Sequence, residues 1–424
     1  MNKRLFNYIA ASPTAYHAVA HTAETLRENG YQELCESDDW KLTAGKGYFV
    51  TRNGSSLIAF RIPKSDFHGF MMTAAHGDSP CFKIKENAEL TDGSYVRLST
   101  EKYGGMLCAS WMDRPLSVAG RLTVRTENGM DVRLVDLREP CAIIPNVAIH
   151  MNRNANDGMS YNPAVDMLPL LSTEGQKGGF RDRVAKAVGV SEKDILTTDL
   201  FVYNPEAGVA WGDLISAPRL DDLQCAFASL TAFLQASDGE NCPVYCLFDN
   251  EEVGSQTKQG AASTFLADVL GRIVPDGNGY RRKIANSFLV SCDNAHAVHP
   301  SHPEYSDKNH TVRMNGGIVI KYNANQKYTT DAVSAGIFRL VCEKAGVPYQ
   351  LYANRADMAG GSTLGNIANT QVSLNTVDIG LAQLAMHSAY ETAGAEDTLH
   401  MINALKAFYK TSLLMKNDGS YELK

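Results

Sequence analysis

Histidines and carboxylates in this chain fall where short apolar runs end. His76 and Asp78 close the run GFMMTAAHGD, Glu251 and Glu252 follow CPVYCLFDN, and Asp293 follows FLVSC. Asp221 and Asp222 stand just ahead of a helical run that starts near Leu223, and His387 lies in LAMHSAYE. Imidazole nitrogens and carboxylate oxygens together make the mixed donor set that suits zinc, with cobalt or manganese as alternatives. Each piece has an ordinary reading as well. An acidic pair before a helix is commonly a cap that meets the helix dipole. A Glu–Glu pair after a strand is commonly a solvated loop, and a histidine on a helix or turn is commonly structural. The pair His76 and Asp78 is harder to dismiss, because a carboxylate is the usual partner of a metal-bound imidazole. The recurrence of such groups at strand ends points to a metal centre.

The surrounding elements fit that placement. In open α/β sheets, ligands collect at the carboxyl ends of the strands. Gly69 to Ala75 is almost wholly apolar, as a strand buried on both faces would be, and it runs directly into His76. Further strands are expected over 47–51, 57–62, 243–248, 288–291 and 317–322. Helices are expected over 12–29, 223–236, 261–273, 333–345 and 398–415. Strands alternating with helices give an α/β sheet covered on both faces. Between about Lys85 and Tyr203 the texture changes to short alternating segments such as SYVRLST, GRLTVRT and MDVRLVDL. This predicts a β-rich domain at 86–204 inserted into a discontinuous catalytic domain, 1–85 and 205–424.

The composition sets limits on function. The chain has 424 residues, with 40 Lys and Arg against 47 Asp and Glu, so its formal charge is −7. That balance argues against a broad nucleic-acid surface, which needs a basic excess. No apolar run approaches the roughly 18 residues of a membrane span. The amino-terminal stretch breaks its apolar run at Asn7, Ser12 and Pro13, so a secretory signal is not expected. Nine scattered cysteines suit reduced thiols and a cytoplasmic location.

Taken in order, the segments HGDSP, SAPRLDD, DNEEVGS, SCDNAHAVHP and AMHSAYETAG resemble the aspartyl aminopeptidase and vacuolar aminopeptidase I family of dizinc exopeptidases. IIPNVAIHMNRN, IKYNANQKYTTDAV and GGSTLGNI extend the resemblance over essentially the whole chain. Departures are small: Gly77 replaces a commoner threonine, Asp222 a commoner asparagine and Gly360 a common cysteine.

The resemblance implies a dizinc exopeptidase-type sheet sandwiched by helices, with the inserted β-rich domain serving dimerisation. It implies two divalent metal ions per subunit. Asp221 would bridge them, His76 and Asp293 would complete one, and Glu252 and His387 the other. Glu251 would be the general base and Asp78 would orient His76. Such a centre activates a water and holds a free α-amine, which selects peptide substrates with a free N-terminus. A cis peptide at Asp221–Asp222 is implied too. His150 would reach a neighbouring subunit's site, while His296, Lys321 and Tyr328 would contact substrate. Lys321 is a plausible counter-charge for an N-terminal Asp or Glu, although a lysine at the end of an apolar strand is ordinarily a snorkelling surface group. The implied assembly is a homo-oligomer, six dimers forming a dodecamer.

Other features carry less. His299, His302 and His310 lie near Pro300 and Pro303 in what reads as an irregular loop, and Cys242 with Cys246 reads as buried thiols. MAGGSTLGN lacks the lysine of a phosphate-binding loop. Three alternatives to an acidic-selective enzyme stay open: an aminopeptidase for neutral residues, a deacylase or carboxypeptidase on the same scaffold, and a non-catalytic oligomeric scaffold.

Overall fold

A computed structural model of the chain describes residues 1–173, 179–237 and 239–424. Among them the chain forms two compact units. The first comprises Met1–Asp78, Gly208–Met386 and Glu391–Lys424, and the second Ser79–Ala207 with His387–Tyr390.

The first unit is built on a nine-stranded sheet. In chain order its strands are β1 (Gln32–Leu34), β2 (Gly47–Arg52), β3 (Ser56–Arg61), β4 (Phe70–His76), β5 (Cys242–Phe248), β6 (Phe288–Cys292), β7 (Ile318–Tyr322), β8 (Tyr349–Ala353) and β9 (Asn375–Gly380). They lie side by side in the order β1-β2-β3-β5-β4-β6-β9-β7-β8. The four central strands β5, β4, β6 and β9 run parallel. Every residue of β4, β5 and β6 is buried, which explains why these segments read as unbroken apolar runs.

Alternate side chains enter two separate cores. Met71 and Ala75 of β4 join Tyr245 and Leu247 of β5 on one face, with helices Ala15–Glu28, Leu220–Gln235, Ala332–Ala345 and Asp397–Lys410 contributing to the same cluster. Phe70, Met72 and Ala74 join Val244, Cys246 and Phe248 on the other, against helix Phe265–Ile273. Burying one such large side chain stabilises by about 1.5–3 kcal/mol. Cys242 and Cys246 belong to that second core, and both are free thiols.

Several helices start or stop differently from the sequence expectation. The helix expected over 12–29 spans Ala15–Glu28, with a further helix, Asn2–Ala10, ahead of it, and the one expected over 261–273 starts at Phe265. The last helix ends at Lys410 rather than continuing to Met415, because Leu413–Asn417 pairs with Ser420–Leu423 as a hairpin. The turn residues Asn417, Asp418 and Gly419, the last at φ +80, are a hairpin signal outweighed by the helical periodicity before it. β1, β8 and β9 are further strands that the sequence reading did not name.

The second unit carries a six-stranded antiparallel sheet. Its strands lie in the order Gly129–Asp136, Ser117–Thr126, Ile195–Tyr203, Cys81–Thr91, Tyr95–Tyr103, Leu170–Thr173. Position 85, the sequence-based border, falls inside Cys81–Thr91, whose partners are Tyr95–Tyr103 and Ile195–Tyr203. The short return segment His387–Tyr390 groups with this unit, and Ala389 is buried in its core beside Phe82, Trp111 and Val202.

Candidate metal centre and its surroundings

Parallel strands in register deliver their last residues to one level. His76 pairs with Phe248 in the register of β4 and β5, and β6 adjoins β4 on its other side. His76 therefore ends β4, Glu251 and Glu252 follow β5, and Asp293 follows β6, all at the same edge of the sheet. Asp221 comes from the first turn of Leu220–Gln235, where it and Asp222 depart from helical dihedrals and are joined by a cis peptide. Its amide donates to the buried carboxylate of Glu391 at 3.0 Å. Asn250, at φ +60, turns the chain sharply before Glu251.

The side chains converge. His76 Nε2 lies 3.6 Å from Asp221 Oδ1 and 3.9 Å from Asp293 Oδ1. In a tetrahedral zinc site with ligand bonds of about 2.0–2.2 Å, donor atoms are separated by roughly 3.3–3.6 Å, so the spacing suits a common ion. Two triads in the first unit have ligand atoms within 4.8 Å of one another: His76, Asp221 and Asp293, and His76, Glu251 and Glu252. His387 directly follows Met386, at the junction where the chain passes to the second unit.

Asp78 organises this edge. Its Oδ1 and Oδ2 accept the amides of Glu251 and Glu252, each at 3.2 Å, and its Oδ1 is 3.4 Å from His76 Nδ1. Its backbone carbonyl is 3.1 Å from the same nitrogen. One carboxylate thus fixes both the imidazole and the acidic turn.

The electrostatics favour a cation. Burial, reinforced by neighbouring carboxylates, pushes the Glu251 carboxyl up to about 8. Burial and Asp221 raise Glu252 well above its ordinary range, and Asp222 is raised similarly by burial. Burial alone would lower His76, but its hydrogen bonds to Asp221, Asp293 and Asp78 raise it. Carboxyl groups crowded in low dielectric resist ionising together, and a bound divalent cation reverses that preference. The donor set and its excess of negative charge therefore fit a divalent metal.

Beyond these candidate residues, Lys321 is only 2 % exposed, which rules out the snorkelling reading. Its Nζ donates to Asn294 O at 3.0 Å, stands 3.8 Å from Asp293 Oδ2 and lies 5.3 Å from the centre of the Tyr328 ring. Burial opposes its charge, but Asp293 and other neighbours outweigh it and raise its pKa. Tyr328 is buried, whereas His296 is exposed with its ring 6.3 Å from that of Tyr352. His150 lies in an exposed turn of the second unit. His302 and His310 pair with Glu304 and Asp307, and among the described residues neither they nor His299 join a metal-holding group.

Asp378 was not singled out in the sequence. It is fully buried and accepts the amide of Thr329 at 2.5 Å and the hydroxyl of Thr363 at 2.6 Å. It thereby ties the segment after Tyr328 to GGSTLGNI. Its one sequence signal is an acid set between Val377 and Ile379.

Known proteins resemble the chain over nearly its whole length. The family described as aminopeptidase I zinc metalloprotease (M18) matches residues 8–409. The chain is 42% identical over 425 residues to a probable M18 family aminopeptidase 2 of Pseudomonas aeruginosa strain UCBPP-PA14, covering 98% of this chain and 99% of that protein. It is 43% identical over 421 residues to the same-named protein of Clostridium novyi strain NT, covering 96% and 97%. Among solved structures, the matching chain in a cryo-EM structure of the Ape4 and Nbr1 complex superposes with a TM-score of 0.94 at 33% identity, covering 96% of this chain and 85% of that one. The S. cerevisiae mApe1 dodecamer gives a TM-score of 0.83 at 27% identity, covering 96% of each chain.

Proposed function

Given that the chain belongs to the M18 family of zinc aminopeptidases, and so is a metallopeptidase, we propose that it releases N-terminal Asp and Glu from peptides with a free α-amine. The observation that carries the acidic preference is the buried cation of Lys321 beside Asp293 and Tyr328. An ammonium held in low dielectric is a strong partner for a substrate carboxylate.

Two divalent ions per subunit, zinc first, would polarise the scissile carbonyl and acidify a water when bound. His76, Asp221 and Asp293 would hold one, and the resemblance to the family adds Asp221, Glu252 and His387 for the other, with Asp221 shared. Glu251 takes the proton of the attacking water and returns it to the departing amine. Asp78 keeps His76 and the Glu251–Glu252 turn in the poses this needs. His296 and Tyr328 line the substrate side chain's path.

His150 serves a neighbouring subunit's site in this reading. Its turn is flanked by Val147, Ile149 and Met151 at 54%, 45% and 83% exposure, apolar groups suited to burial in an assembly. The inserted domain then acts in dimerisation, and dimers assemble to a dodecamer like that of the mApe1 relative. A cytoplasmic location suits the nine free cysteines.

One contact favours a second reading. Lys321 Nζ already donates to Asn294 O, and a lysine committed internally would leave a pocket for neutral residues. Initial rates of the metal-reconstituted protein on Asp-, Glu-, Leu- and Lys-terminal peptides separate the two. Preference for Asp and Glu is expected; equal or faster release of Leu would overturn acidic selectivity.

A further inference from the structure

Asp221 and Asp293 are tied to each other through the residues beside them. Asn294 follows Asp293, and its Nδ2 donates at 3.1 Å to the carbonyl of Leu220, the residue before Asp221. The same Nδ2 donates to Gln383 Oε1 at 2.7 Å and to Gln224 Oε1 at 3.2 Å. Gln383 Nε2 donates to Glu391 Oε1 at 3.4 Å, and Glu391 Oε2 accepts the amide of Asp221 at 3.0 Å. The path from Asp221 through Glu391, Gln383 and Asn294 therefore returns to Leu220 as a closed ring. All of its members belong to the first unit.

The direction of each hydrogen bond in the ring is fixed. The amide of Asp221 lies in the first turn of its helix, where no helical carbonyl can serve it, so Glu391 supplies the acceptor. The second oxygen of Glu391 accepts from Gln383, which leaves the oxygen of Gln383 to accept from Asn294. Asn294 cannot turn to relieve a mismatch, because its Oδ1 accepts the Cys225 thiol at 3.1 Å. The amides on either side of its own, those of Asp293 and Ala295, donate to Ile379 O and Leu381 O at 3.0 and 2.8 Å. Asn294, Gln383, Glu391 and Gln224 are all buried, so a donor or acceptor left unmet here would be costly.

We infer that Gln383 and Glu391 are positioning residues for the metal group His76, Asp221 and Asp293, setting the two aspartates relative to each other through the Asp221 amide and Asn294. This rests on the reading of those three residues as ligands.

The test is zinc affinity of the full-length protein in chelator-buffered zinc, with bound metal counted per chain. Glu391→Gln turns an acceptor into a donor, so two NH₂ groups must meet within the ring. Gln383→Glu sets two carboxylates against each other. Each is expected to weaken the zinc that Asp293→Ala also weakens, by about 10–100-fold. Combining Glu391→Gln with Gln383→Glu exchanges donor and acceptor, keeps the total charge and restores every hydrogen bond, so zinc affinity should return near wild type. Glu391→Gln is isosteric and takes a charge out of the interior, so it decides the matter even if Gln383→Glu does not fold. Wild-type affinity in Glu391→Gln, or a double variant that binds zinc no better than Glu391→Gln, would overturn the inference. Unchanged zinc binding in Asp293→Ala would instead remove the ligand reading on which it rests.

Discussion

The carboxylate of Asp78 accepts the amide of Glu251 at 3.2 Å and, through its other oxygen, that of Glu252 at the same distance. An acid two residues beyond one strand therefore fixes the backbone of the acidic turn that follows the neighbouring strand. Because the same group lies 3.4 Å from His76 Nδ1, one substitution reaches both halves of the centre. Asp78→Asn is expected to lower metal affinity or activity about 10–100-fold. Zinc titration with parallel rate measurements checks this; wild-type values for both would remove Asp78 from the machinery.

Glu251 is assigned a proton-transfer role, distinct from metal holding. Glu251→Gln keeps the shape of the side chain but cannot accept the proton, and kcat should fall about 10²–10⁴-fold. Metal content and Tm should stay near wild type. Peptide hydrolysis at an unchanged rate would contradict the assignment.

Lys321 is buried beside Asp293, so its removal bears on selectivity more than on folding if it is replaced by a residue of similar length. Lys321→Met should lower kcat/KM for Asp-terminal peptides relative to Leu-terminal ones by roughly 10–100-fold, the worth of a charged hydrogen bond. An unaltered ratio would show that the lysine serves Asp293 and Asn294 alone.

Metal binding should be coupled to pH in a definite direction. The Glu251 carboxyl is raised from its ordinary 4.5 to about 8. Between those values the folded metal-free chain keeps a proton that the unfolded chain has released, so its stability falls as pH rises from 4.5 to 8. His76, raised above 6.5, acts in the same sense: its contribution is complete below 6.5 and is lost as pH climbs through the folded value. Ligands must also shed protons to bind metal. The gain in Tm on adding zinc should therefore be larger at about pH 8 than at about pH 5.5, by about 3 °C or more. A gain that is flat or shrinks with pH would contradict this.

How far the sequence discloses the molecule follows from physical pattern. β4, β5 and β6 are buried on both faces, so their apolar runs were legible, and the acids at their ends stood out against them. β9 was harder to recognise because Asp378 interrupts its run, and its partners Thr329 and Thr363 come from distant segments. Residue spacing offered no sign that the side chains of Ser110 and Asn204 hold the backbone of Ala389, since contacts across 279 and 185 positions leave no local pattern. The burial of Lys321 was equally hidden: the residue type suggested exposure, and only packing around β7 makes it an interior cation.

The central claim, a metal-dependent aminopeptidase with a preference for acidic N-termini, is tested most directly by one rate comparison. The metal-counted protein is given an Asp-terminal peptide with a free amine, the same peptide N-acetylated, and the free peptide again after chelation with metal loss confirmed. Release of aspartate is expected in the first case only, restored when zinc is returned. Hydrolysis of the blocked peptide, or undiminished hydrolysis by the metal-free protein, would contradict the account.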